Sequence, residues 1–187
     1  MSQVNPLQSE RQFAVLVLLI DLHGEDHVLF TKRPMRDADY YSGQICFPGG
    51  AREEQDVSLA DCALRETFEE LGVSPEQVDI FAKLGWRRTS IHQRVKPFAG
   101  RLHAASSLAP NPAEVKSVLY LPVSRLSPDL FQLRDVWRDR QGNEYEILRF
   151  HLDQDEVWGL TARILYDFLH ESPEFRAGIG QDAASGK

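Results

Sequence analysis

The chain has 187 residues and a formal net charge of -7, and hydrophobic residues make up 42% of it. This length suits one globular domain, and the apolar content is sufficient for a buried core. The negative charge disfavours a nucleic-acid polymer or an anionic membrane as partner, because both are bound through an excess of Lys and Arg. It leaves room for a small phosphorylated ligand that binds through metal ions, since the metal supplies the positive charge.

The two ends of the chain are expected to be tails around a single domain. Residues 1–12 are polar and lack the basic-then-apolar order of a secretion signal. Residues 173–187 are rich in small and polar side chains, which is typical of a flexible tail. The domain is therefore expected over 13–172. The apolar run Phe13–Ile20 is too short to cross a membrane. These features predict a cytoplasmic protein and leave its oligomeric state open, a homodimer included.

Short apolar runs between turn residues predict the following strands in chain order: Phe13–Ile20, His27–Lys32, Gln44–Phe47, Val78–Trp86, Val95–Leu102, Val115–Leu121, and a hairpin of Leu133–Asp139 with Tyr145–Leu152. Two helices are expected, one over Val57–Leu71 that ends at Gly72 and one over Gly159–His170. Because strands outnumber helices and the helices lie far apart, the pattern predicts an α/β (α+β) fold with a mixed sheet sandwiched between helices.

The first helix carries three carboxylates close together. At about 100° per residue, Glu66, Glu69 and Glu70 fall within an arc of roughly 100°, and Arg65 borders that arc. Like charges on one face weaken an isolated helix, and a hard cation such as Mg²⁺ or Mn²⁺ removes the repulsion. The opposite side is expected to face the core and carries mostly small and apolar side chains: Ala60, Ala63, Leu64, Thr67, Phe68 and Leu71.

An acidic stripe alone is more often a solvated helix surface than a metal site, and the residues around this one favour the metal site. Gly50 lets the backbone turn sharply and leaves a carbonyl near the start of the helix. Asp56 lies just before the helix, where a carboxylate is stabilised by the N-terminal amides and can also approach a metal. Arg65 can hold a Glu side chain in one rotamer through a forked hydrogen bond.

The segment 49–73 resembles the Nudix box, a fixed spacing of Gly, Glu, Arg-Glu, Glu-Glu, Gly and an aliphatic residue. Asp56 replaces the first Glu of that pattern, eight residues rather than seven separate it from Arg65, and Thr67 fills an aliphatic position. The extra residue falls before the helix, so the acidic face is undisturbed. The matching residues are Gly50, Asp56, Arg65, Glu66, Glu69, Glu70, Gly72 and Val73.

Segments outside the box resemble the coenzyme A pyrophosphatase branch of the Nudix superfamily. This resemblance implies cleavage of coenzyme A to 3′,5′-ADP and 4′-phosphopantetheine, with Mg²⁺ or Mn²⁺ as the cofactor. The branch often has His before the Ser-Gly-Gln turn, where this chain has Tyr41. The segments that carry the resemblance are 29–33, 42–50, 95–98, 111–115 and 157–161.

The metal ligands that the resemblance implies lie on and just before the first helix. Glu66 and Glu70 are the first candidates, and Glu69 is next. The carbonyl of Gly50 and the carboxylate of Asp56 are further candidates. Diphosphates are cleaved with metal ions because the cation polarises the phosphoryl oxygens and acidifies water.

The remaining candidates are a catalytic base and a set of substrate contacts. A carboxylate near the attacking water accepts its proton, and Glu66, Glu69 and Glu114 are the candidates for this base. Arg65 is expected to orient Glu66 or Glu69 rather than to touch the substrate. Side chains that could contact the substrate, mainly through its phosphates, are Lys32, Arg33, Arg36, Tyr41, Arg87 and Arg88.

Two other functions remain open on these grounds. A Nudix hydrolase of ADP-ribose, a dinucleotide cofactor or a nucleoside triphosphate would share the box, because the box handles only the diphosphate. A Nudix-fold module that binds a nucleotide without cleaving it would tolerate loss of the Glu cluster, and all three Glu residues are present. Under each alternative the partner is a small nucleotide-derived molecule.

Overall fold

A computed structural model describes residues 11–37, 42–89, 93–103, 108–138, 142 and 144–171. Tyr41, the C-terminal tail and all but Arg11 and Gln12 of the N-terminal tail lie outside these described residues. None of the helices in these ranges is long and apolar enough to span a membrane.

The strands are β1 (Gln12–Leu22), β2 (Glu25–Lys32), β3 (Ile45–Cys46), β4 (Gly49–Ala51), β5 (Val78–Lys83), β6 (Arg87–Arg88), β7 (Arg94–Leu102), β8 (Ser117–Pro122), β9 (Gln132–Arg138), β10 (Glu144–Leu152) and β11 (Asp155–Trp158). The α-helices are α1 (Leu59–Leu71) and α2 (Leu160–Glu171), and short 3-10 turns cover Pro75–Gln77, Val123–Arg125 and Pro128–Leu130.

The strands form one large mixed sheet and one small antiparallel sheet. The order in the large sheet is β3-β2-β1-β7-β5, with β4 paired to β1, β6 to β7 and β8 to β2. β1 and β7 run parallel, and the other pairs of this sheet are antiparallel. The small sheet has the order β11-β10-β9. The prediction of a mixed sheet is confirmed.

The helices cover opposite faces of the large sheet, which also confirms the predicted layers. Leu16 and Leu18 of β1 pack in one apolar cluster with Cys62, Ala63 and Leu71 of α1. We call this side the α1 face. The side chains that alternate with them on β1 pack on the other side, the α2 face, with α2 and the small sheet. Because both faces of β1 are covered, its sequence is a nearly continuous apolar run.

The strand prediction was wrong where pairing depends on distant neighbours. The sequence did not predict β4, which forms because its backbone pairs with Phe13–Val15 of β1. The strand expected to reach Trp86 ends at Lys83. β6 and β11 were not expected, since each is too short to produce a periodic pattern.

The predicted hairpin is confirmed as β9 and β10, which pair antiparallel with a register shift between Ile147 and Leu148. Of the residues between β9 and β10, the described ranges include only Gly142. Its φ of 84° lies in the left-handed region that glycine adopts without a steric penalty.

Candidate active site

The ends of α1 are fixed by capping residues. The helix begins at Leu59, two residues later than predicted, because Ser58 caps it. The Ser58 hydroxyl accepts a hydrogen bond from the Asp61 amide at 3.1 Å, and the Asp61 carboxylate accepts one from the Ser58 amide at 2.8 Å. Gly72 ends the helix as predicted, with a φ of 70°. Asp56 is therefore not the cap of this helix.

Arg65 is the centre of a hydrogen-bond network at the acidic edge of α1. Its Nε and Nη2 donate to the two oxygens of Asp56 at 2.9 and 3.1 Å. Nη1 donates to Glu69 at 3.0 Å, and Nη2 also donates to Glu66 and to the carbonyl of Ala51 at 3.0 Å. The bonds to Asp56, Glu69 and Glu66 raise the pKa of Arg65 above its usual range. One guanidinium thus orients three carboxylates.

Asp56 acts in this network as the buried partner of Arg65. It is only 4% exposed, and its Oδ2 also accepts a hydrogen bond from the Glu53 amide at 2.8 Å. The hydrogen bond from Arg65 is the main cause that lowers the pKa of Asp56, against the opposing effect of burial. Both carboxylate oxygens therefore face the guanidinium or the Glu53 amide. The geometry favours a positioning role for Asp56 over the direct metal contact that its place in the box suggested.

Glu66 lies against the backbone of Gly50. A Cβ atom at Gly50 would come within about 2.5 Å of both carboxylate oxygens of Glu66, so only glycine leaves room for that side chain. Burial is the main cause that raises the pKa of Glu66, and the neighbouring Arg65 opposes the rise. The Gly50 carbonyl accepts a contact from the Cys62 thiol at 3.7 Å. The glycine turn and the helix are thus fitted closely to each other at this carboxylate.

Glu70 is buried, whereas the prediction placed it on the exposed acidic arc. It is 5% exposed, and its Oε2 lies 3.4 Å from the hydroxyl of Thr31 at the end of β2. Burial raises its pKa to about 8, a hydrogen bond from the Gly49 amide opposes this rise, and the charges of Glu66 and Glu114 add to it. This carboxyl is therefore costly to ionise unless a positive charge lies beside it.

The side of α1 that faces the sheet differs from the prediction in one further respect. Phe68 was expected in the core and is 50% exposed, while Thr67 is fully buried and donates to the Ala63 carbonyl at 2.7 Å. That bond satisfies the hydroxyl that stands at an aliphatic position of the box. The helix turns its Glu70 edge toward the sheet because two donors from β2 and β4 meet the carboxyl there.

The three Glu carboxylates do not converge on one point. The Glu69 side chain is 45% exposed and paired with Arg65, Glu66 lies on Gly50, and Glu70 points to Thr31. Across the described ranges, no three His, Cys, Asp or Glu side chains form a group that could hold a metal as they stand. Glu66 and Glu69 share Arg65 as a partner, whereas Glu70 meets the Thr31 hydroxyl and the Gly49 amide.

A pocket with a volume of about 280 Å³ brings together residues from both sides of the box. It is lined by Arg33, Pro34, Arg36, Ala113 and Glu114. Arg36 donates to the carbonyl of Ala113, which ties the segment after β2 to the loop before β8. The pocket thus joins two of the predicted phosphate contacts to a predicted base.

The loop that carries Glu114 is attached to the end of α1. The Asn111 amide donates to the backbone carbonyl of Glu70 at 2.9 Å, and the Asn111 side chain donates to Glu114 at 3.2 Å. The charge of Glu114 also raises the pKa of Glu66 and of Glu70, so these carboxylates lie within electrostatic range. Sequence reasoning gave Asn111 no role, although an Asn-Pro pair signals a turn of this kind.

Among the predicted substrate contacts that the structure describes, three lie away from this pocket. Lys32 points to the α2 face and pairs with Asp155 of β11 at 2.6 Å. Arg87 is held by Asp167 of α2 at 2.5 Å and by Glu171 at 2.8 Å. Successive side chains of a strand point to opposite faces, which places Lys32 away from Arg33 although the two are adjacent in sequence. Arg88 pairs in register with β7, and it does not line the pocket.

Comparison with known proteins identifies the family. The protein-family model described as NUDIX domain matches residues 10–142 of this chain. A mixed sheet with an acidic, Arg-organised helix on one face is consistent with this match. The chain belongs to the Nudix family.

The relatives agree with this assignment. A protein named uncharacterized Nudix hydrolase NudL from Photorhabdus laumondii is 30% identical over 166 residues, which cover 88% of this chain and 87% of that protein. Mouse peroxisomal coenzyme A diphosphatase NUDT7 is 28% identical over 179 residues, which cover 90% of this chain and 75% of that protein. A MutT/nudix family protein from Enterococcus faecalis has a similar fold, with a TM-score of 0.55, 15% identity, and coverage of 96% of this chain and 71% of the other. The chain is a Nudix pyrophosphohydrolase that acts on nucleoside diphosphate derivatives.

Proposed function

We propose that this enzyme hydrolyses the diphosphate of coenzyme A to 3′,5′-ADP and 4′-phosphopantetheine, using Mg²⁺ or Mn²⁺. The observation that carries the proposal is the pocket in which Arg33 and Arg36 stand beside Glu114, within electrostatic range of Glu66 and Glu70. Coenzyme A differs from most nucleoside diphosphate derivatives by a 3′-phosphate with close to two negative charges. In a chain of net charge -7, such a group needs a dedicated basic contact. The similarity to the mouse coenzyme A diphosphatase supports the same substrate.

The donor atoms on α1 and β4 fit a hard divalent cation. They are the carboxylates of Glu66 and Glu70 and the carbonyl of Gly50, and Mg²⁺ and Mn²⁺ prefer oxygen ligands of this kind. A cation would also stabilise the ionised form of the buried Glu70 carboxyl. We assign Glu66 and Glu70 as the principal ligands, with Glu69 reaching the metal by leaving Arg65.

A bound divalent cation would polarise the phosphoryl oxygens and lower the pKa of a water molecule that it binds. The protein residues position the metal ligands and bind the substrate. Arg65 fixes the rotamers of Glu66 and Glu69, and Asp56 fixes Arg65 through two hydrogen bonds. Arg33 and Arg36 bind phosphate oxygens at the pocket.

We assign Glu114 as the group that takes the proton from the attacking water. Glu66 and Glu69 are the other candidates, but one oxygen of each carboxylate already accepts a hydrogen bond from Arg65. Glu114 is exposed in the pocket, and its carboxylate accepts a hydrogen bond from the amide side chain of Asn111. A positioned base contributes roughly 10²–10⁴-fold to the rate.

The substrate assignment is tested by comparing coenzyme A, dephospho-coenzyme A and ADP-ribose with Mg²⁺ present. A charge-assisted contact is worth about 1.5–3 kcal/mol, so dephospho-coenzyme A should be poorer by roughly ten- to a hundredfold in kcat/KM. Equal rates would show that the 3′-phosphate is not read. Faster cleavage of ADP-ribose would move the assignment to that substrate, and the departure at Tyr41 would be the first to examine.

The residue that reads the 3′-phosphate is tested by pairing these substrates with variants. Arg36→Ala should lower kcat/KM on coenzyme A by about tenfold and leave dephospho-coenzyme A nearly unchanged. Lys32→Ala is the matched control. It removes a cation from the end of β2, close to Arg36 in sequence, but the Lys32 side chain lies on the α2 face and pairs with Asp155. Loss of discrimination in Arg88→Ala instead would place the 3′-phosphate at β6.

A further inference from the structure

We propose that Thr31 is a positioning residue whose hydroxyl holds the carboxylate of Glu70 in the geometry that binds the metal. The proposal rests on the role of Glu70 as a metal ligand assigned above. Thr31 then acts on a metal ligand, separately from the substrate contact proposed for its neighbour Arg33.

The contact joins two buried side chains from different elements. Thr31 is 1% exposed at the end of β2, and Glu70 is 5% exposed in the last turn of α1. The Thr31 hydroxyl lies 3.4 Å from the Glu70 carboxylate, and the Gly49 amide donates to the same carboxyl group. The carboxyl therefore meets one donor from β2 and one from β4, both outside its own helix.

The direction of the hydroxyl proton follows from its neighbours. The Thr31 oxygen also lies 3.5 Å from the Cys46 carbonyl and 3.4 Å from the Cys46 thiol. A hydroxyl has one proton to donate, and a bond to an ionised carboxylate is roughly twice as strong as a bond to a neutral acceptor. Once Glu70 is ionised, the proton therefore points to Glu70, and the Cys46 thiol can donate to the hydroxyl oxygen instead.

This contact matters because Glu has three rotatable side-chain bonds. A carboxylate that is already fixed loses less conformational freedom when it binds a metal than one that is free to rotate. Outer partners of metal ligands typically contribute about 10–100-fold to metal affinity or activity. We expect Thr31 to lie at the lower end of that range, since the Gly49 amide would still hold the carboxyl.

The test compares two pairs of variants that each differ by one hydroxyl. Thr31→Val keeps the shape of threonine without the donor, and Thr31→Ser keeps the donor without the methyl group. Thr31→Ala completes the second pair, because alanine and serine differ only by the hydroxyl. Binding of Mn²⁺ alone is measured by isothermal titration calorimetry, and thermal unfolding verifies the fold of each variant.

We expect Thr31→Val and Thr31→Ala to weaken Mn²⁺ binding by about tenfold, while Thr31→Ser stays within about twofold of the wild type. At saturating Mn²⁺ the kcat of Thr31→Val should return toward the wild-type value with little change in the KM for the nucleotide. Cys46→Ala is the matched control, since it opens a similar space beside the same hydroxyl without removing that donor.

Unchanged Mn²⁺ affinity in Thr31→Val would overturn the positioning role, and so would equal losses in Thr31→Ser and Thr31→Ala. Glu70→Gln separates this failure from a failure of the proposed metal site. If Glu70→Gln loses Mn²⁺ binding and Thr31→Val does not, only the role of Thr31 is wrong. If Glu70→Gln also binds Mn²⁺ normally, the assignment of Glu70 as a ligand fails and the proposal fails with it.

Discussion

Replacing Glu70 by Gln should make the metal-free protein more stable at alkaline pH. It should also abolish the change in stability that metal binding produces. Burial raises the pKa of Glu70 from 4.5 to about 8. Because the folded chain holds this proton more tightly than the unfolded chain, the stability that Glu70 contributes is fully present below pH 4.5 and is lost as pH rises through about 8. Each pH unit in that window is worth about 1.4 kcal/mol, so ionising Glu70 lowers the free energy of unfolding by roughly 5 kcal/mol. Glutamine keeps the shape of the side chain and has no proton to lose.

Calorimetric unfolding in EDTA between pH 5 and pH 9 measures this difference. For a domain of this size about 2–4 °C of Tm corresponds to 1 kcal/mol, so Glu70→Gln should melt on the order of 10 °C above the wild type at pH 9. The two proteins should converge toward pH 5. Glu69→Gln is the matched control, because it removes the same charge from a half-exposed side chain of the same helix. Parallel pH curves for the wild type and Glu70→Gln would refute the argument.

The same variant should be a poor enzyme, and two further substitutions test the rest of the site. At saturating Mg²⁺, Glu70→Gln should lose at least about two orders of magnitude in kcat/KM, in line with a lost metal or transition-state contact. Gly50→Ala should fold normally, because the clash is with the flexible end of Glu66, but calorimetry should show roughly tenfold weaker Mn²⁺ binding. Arg65→Lys keeps the charge and loses the planar fork, so steady-state kinetics should show a larger fall in kcat than rise in KM. A defect of Arg65→Lys confined to KM would move that side chain into the substrate pocket.

The elements around the site could be predicted because each leaves a local signal. The apolar run of β1 and the helical spacing of α1, with Gly72 after it, lie within a few residues of where they were expected. The contact of Arg65 with Glu69 follows from the same spacing, since side chains four residues apart lie on one edge of the helix. Local patterns therefore account for the helix and for this pair.

The orientation of α1 could not be predicted from its own sequence. A helical wheel places residues relative to one another, but it does not say which arc meets the sheet. Glu70 is buried because the Thr31 hydroxyl and the Gly49 amide meet its carboxyl, and both come from other strands. The position of Arg87 has the same cause, since its partner Asp167 lies on a helix far along the chain. Both outcomes depend on tertiary contacts that no periodic pattern records.

The alternation of side chains along β2 limits how this enzyme can change during evolution. Phe30 is fully buried on the α2 face, with its ring 4.9 Å from that of Phe47, and this packing anchors the strand. A one-residue insertion or deletion within β2 would exchange its faces, which would bring Lys32 beside the metal carboxylates and bury Thr31 under α2. Changes of length are therefore compatible with the site only outside β2, such as in the segment after it that carries Arg33 and Arg36.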